Sequence, residues 1–595
     1  MTDKIKQLYS KAFPSKRSGN LYSAFSYPTK ISPEVIAVFI ASHTKPGDVV
    51  LDTFGGSGTT GLAALLCANP TDEVINLAKK MNAPAIWGPR HAFIYEISTL
   101  GAFISNTMCN PPDPDVFLTE AEKLIDSVQK KLGWMYSAID PDGNEGVLRH
   151  AIWSEILECN SCGYKVSYWD SAVKFNPLSL ASNFTCEKCG YQANYSDVKR
   201  VTEEYYDRLL NKKIIRKKRV IKRIYGETGN KKWVRDVNEQ DNLLLSRIEE
   251  EQYSSYVPIE EIKWGDLYRS GYHTGITHAH HFYTKRNLHV LSALWELVNE
   301  SPKEVRDALK LLILSYNSSH STLMTRVVVK NNEKDFVVTG AQSGVLYISN
   351  LPVEKNIITG LKRKLKTIYK AFLTIYKSDS TVKVINGSST KMDELSDESV
   401  NYVFTDPPFG DYIPYSELNF LNEVWLGKKT NTEQEAIISN SQKKTVNDYQ
   451  HLMEQVFKEI SRVLTPDGKV TVVFHSAKAE VWKALQASYQ KAGLSVKLSS
   501  VLDKLQGSFK QVTSNITVKG DPLLLLEKNR DRSIQLSFHF NIEEIIGMLI
   551  LQMKNNGEEI TKERIFSRFV NYCLEKNLEV PMDASEFYRI VCRKV

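Results

Sequence analysis

The chain has 595 residues, 42% of them hydrophobic and 24% charged. That length exceeds one ordinary core and, at roughly 150 residues per domain, allows about four domains; the composition excludes wholesale disorder, a collagen-like repeat and a disulfide scaffold. The formal charge of +7 is mild overall but concentrated, because residues 211–235 hold eleven Lys or Arg and one acid, an excess of +10 that leaves the rest of the chain at −3.

From Pro33 the pattern predicts a helix (PEVIAVFIASHT), a KPGD turn, a buried strand (VVLDTF), a glycine loop (GGSGTTG) and a second helix (LAALLCA). A strand HAFIYE at 91–96 and a helical stretch, STLGAFISNTM, follow. Such alternation argues for a parallel sheet with helices on both faces. From about 150 to 260 it stops, replaced by two CxxC pairs and the basic run, which reads as an insert. Helical windows NLHVLSALWELVNE and KEVRDALKLLILSYN come next, with a hairpin near 326–349. At 382 the alternation resumes with VKVING, NYVFTDPPFG, a helix YQHLMEQVFKEISRVL, the strand KVTVVFH, another helix and strand-like SVKLSSVL and SNITVKG. The expected division is therefore 1–150, first part of an α/β domain; 151–265, insert; 266–380, mainly helical segment; 381–530, second part of the α/β domain; and 531–595, a helical tail.

No stretch approaches the roughly 20 apolar residues that cross a bilayer, and the start MTDKIKQLYSKAFPSKRSG lacks the apolar centre of a signal peptide. No membrane partner and a cytoplasmic location are expected. Four of the eight cysteines form the CxxC pairs, which in a reducing compartment points to metal; Cys67, Cys109, Cys573 and Cys592 are expected to fill space.

Gly56, Gly58 and Gly61 satisfy GxGxxG, a weak signal for a dinucleotide. The flanking residues argue for a different ligand. Asp52 ends the strand and Phe54 precedes the glycines; a carboxylate there repels a pyrophosphate and suits the ammonium of an amino-acid moiety, which S-adenosylmethionine has. Glu96 ends the next strand, where a carboxylate can accept hydrogen bonds from ribose hydroxyls. A helix cap and a solvated strand end are the plain alternatives.

The second strong feature is Asp406, Pro407, Pro408 and Phe409 at the end of a buried strand. Two prolines stiffen the loop and stop the sheet. An exocyclic base amine is a poor nucleophile; hydrogen bonds from it to the Asp406 carboxylate and to a Pro-Pro carbonyl favour a pyramidal nitrogen aimed at a methyl donor. Phe409 is placed to stack on the base. No covalent nucleophile is needed, and Cys189 and Cys573 are the nearest cysteines in sequence.

SYPTKISPEVIAVFI (26–40), KPGDVVLDTFGGSGTT (45–60), AFIYEIS (92–98) and TDPPFGDYIPYSELNFLNEVWL (405–426) resemble the amino-methyltransferases that act on DNA, in particular bacterial adenine-specific DNA methylases that carry a zinc ribbon. The resemblance implies a Rossmann-like class I methyltransferase fold, α/β with a mixed, mainly parallel sheet, interrupted by a zinc-ribbon insert and a helical segment. It places Tyr27, Pro28 and Lys30 beside the cofactor, Asp52, Phe54, Gly55, Gly56, Ser57, Gly58, Thr59 and Thr60 in the cofactor loop, Glu96 on the ribose and Asp406 to Phe409 at the catalytic centre. The motif order is similar to the α arrangement of DNA methylases. One position departs: where the family has Gly-Asp after this strand, Gly387 is followed here by Ser388, so adenine contact falls to Ser388 or another group.

Cys159, Cys162, Cys186 and Cys189 stand as CNSCGY and CEKCGY, two knuckles whose four thiolates close the shell of a structural zinc. In the basic run, Lys217, Lys218, Arg219, Lys222, Arg223, Lys231, Lys232 and Arg235 flank a hairpin turn at GETGN; the functional expectation is phosphate contact with double-stranded DNA, and the plain one a solvated charged face. His278, His280 and His281 read as structural or nucleic-acid contacts more than as a second metal site. The leading expectation is transfer of methyl from S-adenosylmethionine to the 6-amino group of a flipped adenine. Alternatives are an RNA guanine amino-methyltransferase, a DNA cytosine N4-methyltransferase and a DNA-binding scaffold without activity. With no nuclease or helicase signature in the sequence, cleavage would need a separate restriction or phage-defence partner.

Overall fold

The structure, a computed structural model, describes residues 3–10, 12–253, 256–263, 265–268, 273–331, 333–342, 344–411, 413–504, 520–529 and 541–592. Contacts divide the chain into two compact units, Met1–Pro111 with Lys370–Asn419 and Lys429–Val595, and Pro112–Tyr369 with Phe420–Lys428.

The first unit holds an eight-stranded sheet made of β1 (Phe13–Ser15), β2 (Val49–Asp52), β3 (His91–Glu96), β4 (Thr381–Asn386), β5 (Val400–Thr405), β6 (Leu464–Val473), β7 (Leu494–Lys504) and β8 (Asp521–Lys528). Their spatial order is β1, β7, β8, β6, β5, β2, β3, β4. Strands β6, β5, β2, β3 and β4 are parallel neighbours, as are β1 and β7, while β8 runs antiparallel to both β6 and β7. The sheet is thus mixed and mainly parallel. Helices α1 (Pro33–His43), α2 (Thr59–Ala68), α3 (Thr99–Cys109), α4 (Tyr415–Leu426), α5 (Val446–Val463) and α6 (Ala479–Lys491) follow the strands.

The chain runs outward through β2, β3 and β4, then returns to lay β5 on the other side of β2. Strand order therefore reverses between β2 and β5, and the carboxyl ends there form the crevice where open α/β sheets bind ligands. Two hydroxyls tie that point together: Thr53 Oγ1 and Thr405 Oγ1 are 2.8 Å apart and buried.

The strands at 49–52, 91–96 and 381–386 and the hairpin of Arg326–Val328 with Val337–Thr339 fall where the pattern places them. Strand β8 does not follow from that pattern. Its DPLLLLEK has no alternation, because Leu523 to Leu526 are all fully buried between two neighbours, each contributing roughly 2 kcal/mol of apolar burial. SNITVKG, expected as a strand, lies outside the described residues up to position 519. Three C-terminal helices, Ile542–Asn555, Lys562–Glu575 and Ala584–Val591, bury Ile546, Phe566, Phe569 and Phe587 in the core shared with α5 and α6. Asn571 Nδ2 donates to the Ser500 carbonyl at 2.8 Å, which fastens this tail to β7.

In the second unit a 14-residue strand, Glu145–Glu158, is the spine; Ser137–Ile139, Lys165–Ser167, Lys199–Arg200, Arg219–Thr228 and Val353–Lys355 all pair with it. Pro112–Tyr369 thus belongs to one compact unit. Among the described residues no helix is long and apolar enough to cross a membrane.

Candidate active site and metal centre

The loops at the carboxyl ends of β2, β3, β4 and β5 line one cleft. Tyr27, Pro28, Lys30, Asp52, Phe54, Gly55, Gly56, Ser57, Thr59, Thr60, Glu96, Ser388 and Asp406 to Phe409 all border it, so the structure gathers residues separated by more than 300 positions. Gly58 lies beneath. Its φ of +79° and the absence of a Cβ let the turn rest on α3, where a Cβ would meet Ser105 Oγ at 2.5 Å. At Gly55 a Cβ would fall 2.1 Å from the Ile94 side chain. These two glycines press the loop against β3 and α3, and the Gly55 and Gly58 amides close it by donating to the Tyr95 and Gly55 carbonyls at 2.9 and 2.8 Å.

Asp52 is buried, and both oxygens are engaged: Oδ2 accepts from the Thr60 hydroxyl at 2.6 Å and Oδ1 from the Phe54 amide at 3.0 Å. Burial pushes its carboxyl up to about 6, against the opposing hydrogen bonds. Because the folded value lies above the ordinary one, the protonated group favours the folded state fully below about pH 4, and that contribution is lost as pH rises through about 6. Asp52→Asn keeps the size and removes the ionisation. It is expected to match the wild type in stability near pH 4 and to exceed it by up to about 3 kcal/mol above pH 7, read from paired thermal melts. A constant difference across that range would contradict the burial effect.

Glu96 Oε2 accepts from the Gly56 amide at 2.5 Å and Oε1 from the Ser98 amide at 2.7 Å, so this carboxylate locks the glycine loop to the start of α3 while lining the cleft. Ser98 Oγ caps α3 and receives Asn419 Nδ2 at 2.8 Å; the same amide lies 3.3 Å from the Tyr27 hydroxyl. Tyr27 stacks on Tyr415 at 5.9 Å, and the Tyr415 hydroxyl is 2.7 Å from Thr29 Oγ1. Burial, then the neighbouring Glu96, hold the Tyr27 phenol well above its usual range. Asn419, Ser98 and Tyr415 were not singled out in the sequence. Only the GDYIPYSEL stretch following the tetrad hinted at the last.

Three of the residues that border the cleft make further contacts within the protein. Lys30 directs its ammonium to the Leu21 and Tyr22 carbonyls at 3.1 and 3.0 Å, which braces the segment before Tyr27. Phe409 does not project: it is 8% exposed, edge-on to Phe474 at 5.5 Å, because the loop folds its ring into the core under the cleft. Ser388 turns to its own loop, with Oγ 2.9 Å from Thr390 Oγ1, while Ser389 Oγ donates to the Thr53 carbonyl at 2.9 Å and ties the β4 loop to the β2 loop. Beside the tetrad, the buried Tyr449 hydroxyl donates to the Pro408 carbonyl at 2.8 Å. No cysteine lines the cleft, and burial pushes the Cys109 thiol, beneath the glycine loop, up to about 12.

In the second unit the four cysteine sulfurs lie within 4.8 Å of one another, with Cys159 to Cys189 and Cys162 to Cys186 each 3.7 Å apart. A tetrahedral zinc with Zn–S of about 2.3 Å requires sulfur separations of about 3.8 Å, so the donor set fits. The two turns are built alike. Cys159 and Cys186 amides donate to the Tyr164 and Tyr191 carbonyls at 2.8 Å, and Gly163 and Gly190 have φ of +72° and +74°.

The basic run forms a hairpin, Arg219–Thr228 with Lys231–Asp236, that turns at Gly229 within GETGN. Of the eight cations named in it, Lys217 is buried, Lys218, Lys231 and Lys232 are exposed, and most meet a carboxylate. Lys217 and Arg219 converge on buried Glu155 at 3.4 and 3.2 Å, Lys222 meets Asp170 at 2.8 Å, Arg223 Asp236 at 3.4 Å, Lys231 Asp142 at 2.8 Å and Arg235 Asp241 at 2.5 Å. These six are held in ion pairs, Lys217, Arg219, Lys222 and Lys231 with acids distant in sequence. Lys218 and Lys232 alone of the eight are exposed with no carboxylate partner among the described residues.

His280 and His281 gain a carboxylate that sequence spacing concealed, since each directs Nε2 to Asp207 Oδ2, at 2.8 and 2.7 Å. The arrangement does not suit a metal. His281 Nδ1 accepts the Thr277 and His278 amides at 3.1 and 3.3 Å, so its hydrogen resides on Nε2, the nitrogen a metal would need bare.

Comparison with known proteins adds two matches to DNA methylases. Residues 3–69 match a family model described as DNA methylase, N6_N4_Mtase. The Type II methyltransferase M.MjaI of Methanocaldococcus jannaschii is 34% identical over 95 residues, which cover 14% of this chain and 30% of that protein. The matching part thus spans about a third of the relative's length. Both agree with the resemblance read from the motifs. Among solved structures, the antibiotic-resistance methyltransferase Kmr (12% identity, 29% of this chain and 72% of that one, TM-score 0.16) and TrmN from Thermus thermophilus (14%, 28% and 34%, TM-score 0.15) are similar over part of the chain, with TM-scores too low to carry an argument.

Proposed function

We propose that the chain is an S-adenosylmethionine-dependent DNA methyltransferase acting on the exocyclic N6 amine of adenine. The observation that carries this reading is the cleft itself, where the rigid Asp406-Pro407-Pro408 corner from β5 borders the same space as the glycine loop of β2 and Glu96 of β3. The matches to DNA methylases support the substrate class.

S-adenosylmethionine, when bound, supplies a methyl group on a positively charged sulfur. Asp52 sits where its negative charge favours a ligand ammonium, which lowers the carboxyl's raised pKa and so ties cofactor affinity to ionisation near pH 6. Glu96, held by the Gly56 and Ser98 amides, presents a carboxylate to the cleft where ribose hydroxyls can donate to it. At the other wall the base amine donates one hydrogen to the Asp406 carboxylate. The second goes to a backbone carbonyl of the Pro407-Pro408 segment, which the Tyr449 hydroxyl braces at Pro408. With both hydrogens held, the nitrogen lone pair is turned out of conjugation and directed at the methyl. A covalent route through a thiolate is not supported by a cleft without cysteine.

The aspartate at 406 favours adenine over cytosine, because in the families that the tetrad resembles, serine is the commoner residue in cytosine N4 enzymes. We further read the cysteine cluster as a structural zinc site, and a separate restriction or defence protein as the partner that would use the mark. The test is incubation of the purified chain with methyl-labelled cofactor and either duplex DNA or RNA, followed by nucleoside digestion. Label in N6-methyladenine is the expected result. Label in N4-methylcytosine would move the target base, and label only in RNA guanine would replace the substrate.

A further inference from the structure

The sequence draws attention to the cations at 211–235, but acids cancel most of them. The uncompensated positive charge of the second unit lies elsewhere. Strand Val353–Lys355 pairs with the spine strand so that Lys355 stands opposite His150, and the Asn356 amide donates to the Arg149 carbonyl at 3.0 Å. The helix Ile357–Ile375 begins at once and brings Arg363 and Lys364 round after less than two turns. Its start is pressed onto Tyr316, whose ring a Cβ at Gly360 would meet at 2.0 Å. Tyr316 in turn packs on His320 at 4.7 Å, in the π-helical turn Asn317–Ser321. Lys355 Nζ donates to His320 Nδ1 at 3.0 Å.

Arg149, His150, His320, Lys355, Arg363 and Lys364 therefore converge from four segments. Glu227, 3.9 Å from Arg149, is the sole ion-pair partner of Arg149, and neither Lys355 nor Arg363 has one among the described residues. Burial, with Arg363 beside it, pushes Lys355 down to about 8, and burial alone does the same to Lys364. The charges acting on His150 and His320 are all cations; after burial these hold both imidazoles neutral at pH 7, at about 3. With Nδ1 of His320 accepting from Lys355, the imidazole hydrogen is on Nε2, so it is one more donor. Lys355 and Arg363, which have no acid partner among the described residues and face other cations, are donors that an anion with several acceptor oxygens stabilises. His320 lies in a π-helical turn, a feature frequent at functional sites.

We propose that this cluster is a phosphate-binding cradle that grips the backbone of the nucleic acid on which the enzyme acts. The inference rests on the reading of a nucleic-acid substrate and names where its phosphates bind. Such contacts fix position without reading sequence, and each adds close to one unit to the salt slope of binding.

The test is anisotropy of a labelled mixed-sequence DNA duplex, and of an RNA of equal length, titrated with the full chain between about 50 and 200 mM salt. Lys355→Gln/Arg363→Gln is expected to weaken binding and to flatten the log–log salt slope by about 2, and the exposed Arg363→Gln alone by about 1. The single variant, at a surface position, serves if the double variant does not fold. An unchanged slope in a folded variant overturns the cradle. Binding of RNA but not DNA, with the same flattening, keeps the cradle and removes DNA as substrate. Binding of neither polyanion by the wild type removes both.

Discussion

Asp406→Ala is expected to lower the rate of methyl transfer by roughly 10²- to 10³-fold, equivalent to about 3 to 4 kcal/mol, while cofactor affinity stays within about twofold of the wild type. The asymmetry follows from the two walls of the cleft. Asp52, Glu96 and the glycine loop come from β2 and β3, whereas Asp406 comes from β5 and holds the amine. Removing it leaves the lone pair in conjugation without altering the pocket that takes the donor. Single-turnover transfer of labelled methyl, set beside calorimetric titration with the cofactor, separates the effects. A fall in kcat with KM for DNA nearly constant fits a group whose hydrogen bond strengthens as the reaction proceeds. Wild-type turnover in this variant would remove the tetrad from the chemistry, and loss of cofactor binding would reassign Asp406 to the other wall.

One zinc per chain is the second expected result, and its removal should unfold the cysteine-bearing part of the second unit. The four thiolates sit at the end of an apolar cluster that the short strands beyond Cys159 join only in part. Phe184, Tyr195, Trp169 and Tyr168 surround Cys159 and Cys186, and the strands there are only two or three residues long. Such a core does not balance the entropy of ordering its loops, whereas structural zinc in small domains brings roughly 10 to 16 kcal/mol of apparent binding free energy. Strong chelator, or Cys186→Ser, is expected to expose residues 159–195 to protease. The thermal shift produced by cofactor, reporting on the first unit, should persist. Metal analysis that finds none in protein with reduced thiols and unchanged protease resistance would exclude this role.

How far the sequence disclosed the site depended on distance along the chain. The glycine loop and Asp52 lie within nine residues, and their contacts, Thr60 to Asp52 and Phe54 to Asp52, are local. The paired knuckles announce themselves for the same reason. Glu155, in contrast, neutralises Lys217 and Arg219 from more than 60 residues away, and Asp207 meets His280 across 73. No periodicity reports such encounters, so a run that reads as exposed charge is in fact half neutralised. Lys355, Arg363 and His320 come from separate stretches of the chain and become a cluster only through the pairing of Lys355 with His150. Strand β8 was missed for a related reason: a fully buried strand has no polar face to alternate with.

The hydroxyl pair joining Thr53 to Thr405 has a consequence for synthesis on the ribosome. Strand β2 acquires its β5 neighbour only after some 350 further residues have been translated, and until then it has β3 alone at its side. The amino-terminal segment accordingly waits, with an open strand edge and half a crevice, while the whole intervening unit emerges and folds. Such a nascent intermediate, with an open strand edge, is exposed to sticking and to chaperone capture, and chain termination before residue 406 yields a product without the wall of the cleft that Asp406 to Phe409 form.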